Sequence, residues 1–219
     1  MSDTERRFTS VPVEVRAGAS DELRIGGYAA KFDRISQNLG GFVERINPGF
    51  FNKSRGDGWP GVIARYNHDD NMLLGTTAAR TLTLGLDDVG LTYAIALPRA
   101  RQDVFELVQR GDVRQSSFAM VVYEDDWTTS DQGFPLRSLV SGKLIDVAPV
   151  NTPAYEDTSV GLRSLATKFG ADLEEVRSMA AANELVKFFK RTDRAPAPRR
   201  RSSQAALARA LNLDPNQTL

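Results

Sequence analysis

A mainly β fold with flanking helices, an α+β architecture built on a compact barrel or sandwich, is what this sequence predicts. Three observations carry that expectation. Short runs of alternating apolar and polar residues, about seven or eight of them, recur through the first three-quarters of the chain. Clusters of Gly, Asn, Asp and Pro punctuate these runs. The clearest helical spacing before residue 160 is confined to residues 103–110, and a longer helical pattern begins only at Ala171.

The elements follow in order. Residues 11–15 (VPVEV) read as a first strand behind a loose terminus, and residues 23–32 as a second, whose Gly26-Gly27 pair marks a bulge, bend or hairpin turn. Residues 41–46 form a further short strand. Residues 47–51 make a turn or brief helix, and a loop covers 52–60. In residues 62–68 alternation places Val62, Ala64, Tyr66 and His68 on one face and Ile63, Arg65 and Asn67 on the other, so His68 ends a strand. Residues 81–86 and 91–97 flank Asp87-Asp88-Val89-Gly90, a hairpin signal. The helix over 103–110 has an acidic start and a Gly111 stop.

Residues 113–123 return to strand, 127–134 read as a polar loop, and 136–147 give two strand segments around Ser141-Gly142. Pro149 and Pro153 end regular pairing. These boundaries predict a body over residues 1–165 and a C-terminal helix over 166–190, with Leu173, Val176, Leu185, Val186 and Phe189 as its buried positions. Residues 191–219 then form a basic, Pro-rich linker (RTDRAPAPRRR) and a short Ser-capped tail helix.

Composition narrows the chemistry. With 219 residues, 41% of them hydrophobic, the chain can bury a core without covalent staples. Its 28 Lys and Arg balance 28 Asp and Glu, so attraction to nucleic acid is not a whole-chain property. Zero cysteines exclude disulfides, thiolate catalysis and Cys-ligated zinc, and suit a reducing compartment such as the cytoplasm. No signal-like h-region opens the chain, and no run approaches the roughly 18 apolar residues of a spanning helix, so no membrane association is expected. His68 is the only histidine, and whatever needs an imidazole must use it. One histidine beside Asp69 and Asp70 makes a poor metal site, so neither metal nor cofactor is expected.

Three segments together hold an imidazole, a hydroxyl and a carboxylate: Tyr66-Asn67-His68-Asp69, residues 115–120 (QSSFAM), and residues 144–150 (LIDVAPV) followed by 151–155 (NTPAY). Such groups can converge from separate strands. In this order, as NHD, SFAM and DVAPVNTPA, and with the GYAAKFD start and a helix before the serine, residues 22–160 resemble the prohead (capsid maturation) serine proteases of tailed bacteriophages, relatives of the herpesvirus assembly proteases. The resemblance implies a herpesvirus-protease-like β-barrel in which His68 is the general base, Ser117 the nucleophile and Asp146 the third member.

Strand geometry tests the serine. Ser116 shares its face with Phe118, Met120 and Val122, the bulkier core side, whereas Ser117 shares the other with Ala119 and Val121. Ser117 is therefore the residue placed to face a site. At Asp146 the family usually has glutamate, so the shorter carboxylate must sit closer to the imidazole or act through water. Asp69 and Asp70 are local rivals, with Asp69 on the opposite strand face. Arginines assist in the herpesvirus enzymes, which draws attention to Arg114 and Arg137 without selecting either.

The function so implied is a serine endopeptidase acting on the major capsid protein and its scaffolding segment, and on itself, with self-association, inside the procapsid assembling in the host cytoplasm. The 191–201 linker, exposed by composition, is the candidate self-cleavage region. Two rivals are a non-catalytic capsid-assembly or scaffold-binding module and, more weakly, a nucleic-acid-binding barrel using the basic tail.

Overall fold

The computed structural model describes residues 4–9, 11–16, 22–151 and 159–189. The expectations for Thr152, Pro153, Ala154 and Tyr155, for Lys190 and for the 191–219 linker and tail lie outside them. In chain order the strands are β1 (Glu5–Thr9), β2 (Glu14–Arg16), β3 (Arg24–Lys31), β4 (Val43–Ile46), β5 (Ile63–Arg65), β6 (Leu73–Thr76), β7 (Leu82–Leu86), β8 (Gly90–Ala96), β9 (Gln115–Thr129) and β10 (Pro135–Val150). The helices are α1 (Asn52–Gly56), α2 (Gln102–Arg110), α3 (Ser159–Phe169), α4 (Leu173–Ala181) and α5 (Val186–Phe189).

The strands divide into two sheets, one in the order β1-β9-β10-β5-β6 with β4 also paired to β10, the other β2-β3-β8-β7. Mainly β with flanking helices is therefore the architecture. Among the described residues neither sheet closes into the barrel that was expected: β9 and β10 form a long antiparallel ladder, and β4 and β5 add to β10 in parallel.

That ladder is the frame of the molecule. The Ser141-Gly142 pair, expected as a break between two strands, is instead a register shift inside the continuous β10. A Cβ on Gly142 would lie 2.2 Å from a Phe50 ring carbon and 2.7 Å from the Val121 carbonyl, so glycine lets Phe50 press against the strand. Residues 127–129, expected as loop, extend β9, because Asp125 and Asp126 are paired with Arg137 and Lys168 and Trp127 is buried.

The main core lies between the sheets. Ile25, Leu91, Tyr93 and Ile95 of the smaller sheet share it with Phe118, Met120, Leu144 and Val147 of the larger, closed by Phe50, Phe51 and Val104. Each such side chain contributes roughly 1.5–3 kcal/mol by leaving water. The helix α2 ends as its sequence predicts, at Gly111 in the left-handed conformation (φ 82°). A second core joins Phe42 and Trp127 to Leu162, Leu165, Val176, Leu185 and Phe188 of the C-terminal helices. Where one helix was expected over 166–190, α3 runs on to Phe169 and α4 and α5 follow, separated at Asn183 (φ 54°); Asp172 caps α4 by accepting from the Glu174 and Glu175 N–H groups.

Candidate active site

The strand β5 ends at Arg65, and Tyr66–His68 turns away as a 3-10 segment. Asn67 (φ 53°) and His68 (φ 58°) are both left-handed, a conformation that asparagine and histidine tolerate better than most residues and that the surroundings must hold in place. Three bonds do so: Asp69 N–H donates to the Tyr66 carbonyl (3.0 Å), Tyr66 N–H to the Met72 carbonyl (3.0 Å), and Asn151 N–H to Asn67 Oδ1 (3.1 Å). Strand alternation therefore stops at Arg65. Arg65 and His68, expected on opposite faces, both reach Asp146.

Ser117 lies on β9, opposite Phe8 of β1 and Ala148 of β10. As strand alternation requires, Ser116 faces the other way, its Oγ 2.8 Å from the Tyr93 hydroxyl in the core. Burial pushes the Tyr93 phenol up, with the Ser116 hydrogen bond opposing, so Tyr93 stays neutral. Asp146 follows the last of three register shifts in the β9–β10 ladder, between Leu144 and Asp146. That bulge re-aims the strand where the carboxylate is needed.

These elements bring His68, Ser117 and Asp146 together. Asp146 Oδ1 is 2.8 Å from His68 Nδ1, and His68 Nε2 is 2.7 Å from Ser117 Oγ. The shorter carboxylate thus touches the imidazole directly. With Nδ1–H donating to Asp146, the Nε2 lone pair is left for the seryl proton. The Ser117 hydroxyl has a second acceptor, the Arg7 carbonyl on β1 at 2.9 Å. When Nε2 carries a proton it donates to Oγ and the hydroxyl turns to Arg7; when Nε2 is free, the hydroxyl donates to it. The resting contacts accommodate both states of a base.

Asp146 is fully buried, and its other oxygen, Oδ2, accepts from Arg65 Nε (2.8 Å) and Nη2. Burial pushes this carboxyl up, but the hydrogen bonds and charge of His68 and Arg65 outweigh burial and hold it below the usual carboxylate range. Arg65 also pairs with exposed Asp70. Sequence reasoning placed Arg65 away from the site. The signal for it is not local, since it requires knowing that β5 runs parallel to β10 with Ile63 opposite Asp146.

The other candidates lie elsewhere. Asp69 closes its own turn by accepting from Asn71 N–H (2.8 Å). Arg114 Nε donates to the Gly111 carbonyl (2.6 Å). Arg137 is buried among Glu5, Glu44 and Asp125 and donates to all three. Among the described residues no group of three or more His, Asp or Glu could hold a metal ion, and no helix is long and apolar enough to cross a membrane.

A hydroxyl bonded to an imidazole that a buried carboxylate orients is the constellation of nucleophilic acyl transfer. The profile of the caudovirus prohead serine proteases matches residues 11–170, a span that contains His68, Ser117 and Asp146. Neither the comparison with curated proteins nor that with solved structures returned a match. The span of the profile covers most of the chain, and the chain belongs to the caudovirus prohead serine protease family.

Proposed function

We propose that this chain is a serine endopeptidase that matures the phage prohead, with Ser117 as nucleophile, His68 as general base and then general acid, and Asp146 as the group that fixes and stabilises the imidazole. The observation that carries the reading is the unbroken hydrogen-bond chain Asp146–His68–Ser117, with contacts of 2.8 and 2.7 Å. Ser117 Oγ attacks the scissile carbonyl as its proton passes to His68 Nε2. The imidazolium then gives that proton to the leaving amine, and water hydrolyses the acyl-enzyme by the same route. The substrates in this reading are the major capsid protein, its scaffolding segment and the chain itself, cut in the 191–201 linker, inside the procapsid assembling in the host cell. Family kinship also supports a protease body over residues 1–165 with a fold related to the herpesvirus-type barrel.

One observation favours the rival of a non-catalytic assembly module. Ser117 is 1% exposed, and the Arg7 carbonyl rests on its hydroxyl. A protease must uncover Oγ before a carbonyl can approach; a binding module need not. Intact mass of the wild type and of Ser117→Ala, alone and with capsid protein under assembly conditions, separates the two. Fragments from the wild type only are expected. Intact chains in every sample would overturn the catalytic reading.

A further inference from the structure

We propose that Arg65 is a positioning residue of this site: by holding the far oxygen of Asp146 it keeps that carboxylate charged and allows His68 to rest as a neutral base. The inference rests on the catalytic reading above and extends it to a residue outside the three-residue chain.

The two oxygens of Asp146 have separate partners. Oδ1 faces His68 Nδ1, whereas Oδ2 takes both Nε and Nη2 of Arg65. Arg65 is itself largely covered, its side chain 12% exposed, and its remaining contact is with Asp70 at the surface (87% exposed). Both partners stand at irregular points of their ladders, Arg65 at the shift between Ala64 and Arg65 in the β5–β6 pairing, Asp146 at the shift between Leu144 and Asp146. The extra residue of the first shift is Leu74 on β6 and that of the second is Ile145 on β10, so irregular pairing flanks both charges.

The need for that charge follows from burial. A carboxylate with no exposure and no cation either takes a proton itself or draws one onto the adjacent imidazole. In the first case His68 loses its orienting acceptor. In the second, Nε2 carries a hydrogen and has no lone pair for the Ser117 proton. A guanidinium on the far oxygen satisfies the carboxylate while the imidazole stays neutral, and a guanidinium does not release its proton. The groups facing Asp146 are Arg65 on β5, His68 on the turn and Ala119 opposite it on β9; beyond Ala119, β1 presents exposed Arg6, and Asp70 reaches the site only through Arg65.

The test is the rate at which a fluorophosphonate probe phosphonylates Ser117 in the full chain, measured from pH 5 to pH 9. Wild type, Arg65→Gln, Arg65→Lys and Ser117→Ala are compared. Arg65→Gln is expected to react up to about tenfold more slowly on the acid limb of its profile, which is displaced upward by about one pH unit, and to approach the wild-type rate at alkaline pH. Arg65→Lys, which restores the charge, should bring the limb back towards the wild type. A role confined to packing would lower the rate equally at every pH. An Arg65→Gln profile with the wild-type midpoint overturns the inference alone, and a wild type unreactive at Ser117 overturns the catalytic reading with it. If Arg65→Gln does not fold, the double variant Arg65→Gln/Asp146→Asn should recover the melting transition, because the uncompensated carboxylate is gone. A double variant no more stable than the single one would overturn the inference.

Discussion

Asp146 and Glu5 are both fully buried carboxylates held by an arginine, and they differ in what else surrounds them. Around Glu5 every cation is a guanidinium. Arg7 forks onto Glu44 at 2.7 and 2.9 Å, Arg137 forks onto Glu5 at 2.7 and 3.0 Å, and Arg137 Nε reaches Asp125 at 2.7 Å. Burial works against the charge of Arg137, and the three carboxylates outweigh it and raise its affinity for the proton. That cluster can only hold β1, β4, β9 and β10 together. Around Asp146 one partner is an imidazole, which can lose a proton near neutrality, and its free nitrogen meets a hydroxyl. Buried charge alone is thus no mark of a site. The distinguishing feature is a group able to exchange a proton, aimed at a hydroxyl.

The largest effect is expected at Ser117, the proposed nucleophile. Ser117→Ala is expected to abolish cleavage of a capsid-derived peptide, by a factor on the order of 10⁶ where the wild type is active, with little change in melting temperature. Residual cleavage above one-hundredth of wild type would move the nucleophile elsewhere. Next in size is Asp146→Asn, which keeps the shape but lets the imidazole adopt the wrong tautomer. It should lower kcat about 10⁴-fold. The counterpart in the other cluster is Arg137→Met, which removes the fork on Glu5 and a donor each from Glu44 and Asp125, leaving Arg7 as the one guanidinium against the two glutamates. A loss of about 3–5 kcal/mol in urea unfolding is expected, with activity per folded molecule preserved. Equal damage to activity and stability in both variants would erase the distinction between the clusters.

Much of this arrangement could be read from local pattern, and the misses share one cause. The β7–β8 hairpin, the Gly111 stop of α2 and the opposed faces of Ser116 and Ser117 each depend on neighbours within a few residues. Missed were β1, β6, the far end of β9 and the aim of Arg65, and each depends on a partner distant in sequence. Residues 127–129 read as the start of a polar loop because two aspartates precede Trp127 and two threonines follow it. They form a strand because Arg137, Lys168 and the helical core accept those side chains. Likewise, Arg65 looks like an outward strand residue until the turn at Asn67 and His68 removes the alternation. That turn was legible only as a motif, not as a pair of left-handed residues.

The smallest expected effect concerns acid. The Asp146 carboxyl is held below the value of roughly 3.9 that it would have in the unfolded chain, so the folded state binds fewer protons there than the unfolded state does. Its contribution to stability is therefore fully present above about pH 4 and is lost as the pH falls through the folded-state value. Asp126, exposed beside Lys168, shifts in the same direction and adds a weaker dependence of its own, so the wild-type curve alone does not isolate Asp146. The difference in unfolding free energy between wild type and Asp146→Asn does, since Asp126 is common to both. That difference should narrow as the solution is acidified below pH 4. A difference that stays constant down to pH 3 would show that Arg65 and His68 do not hold this carboxylate in its charged form. The contrast with the arginine-only cluster would then rest on the nucleophile alone.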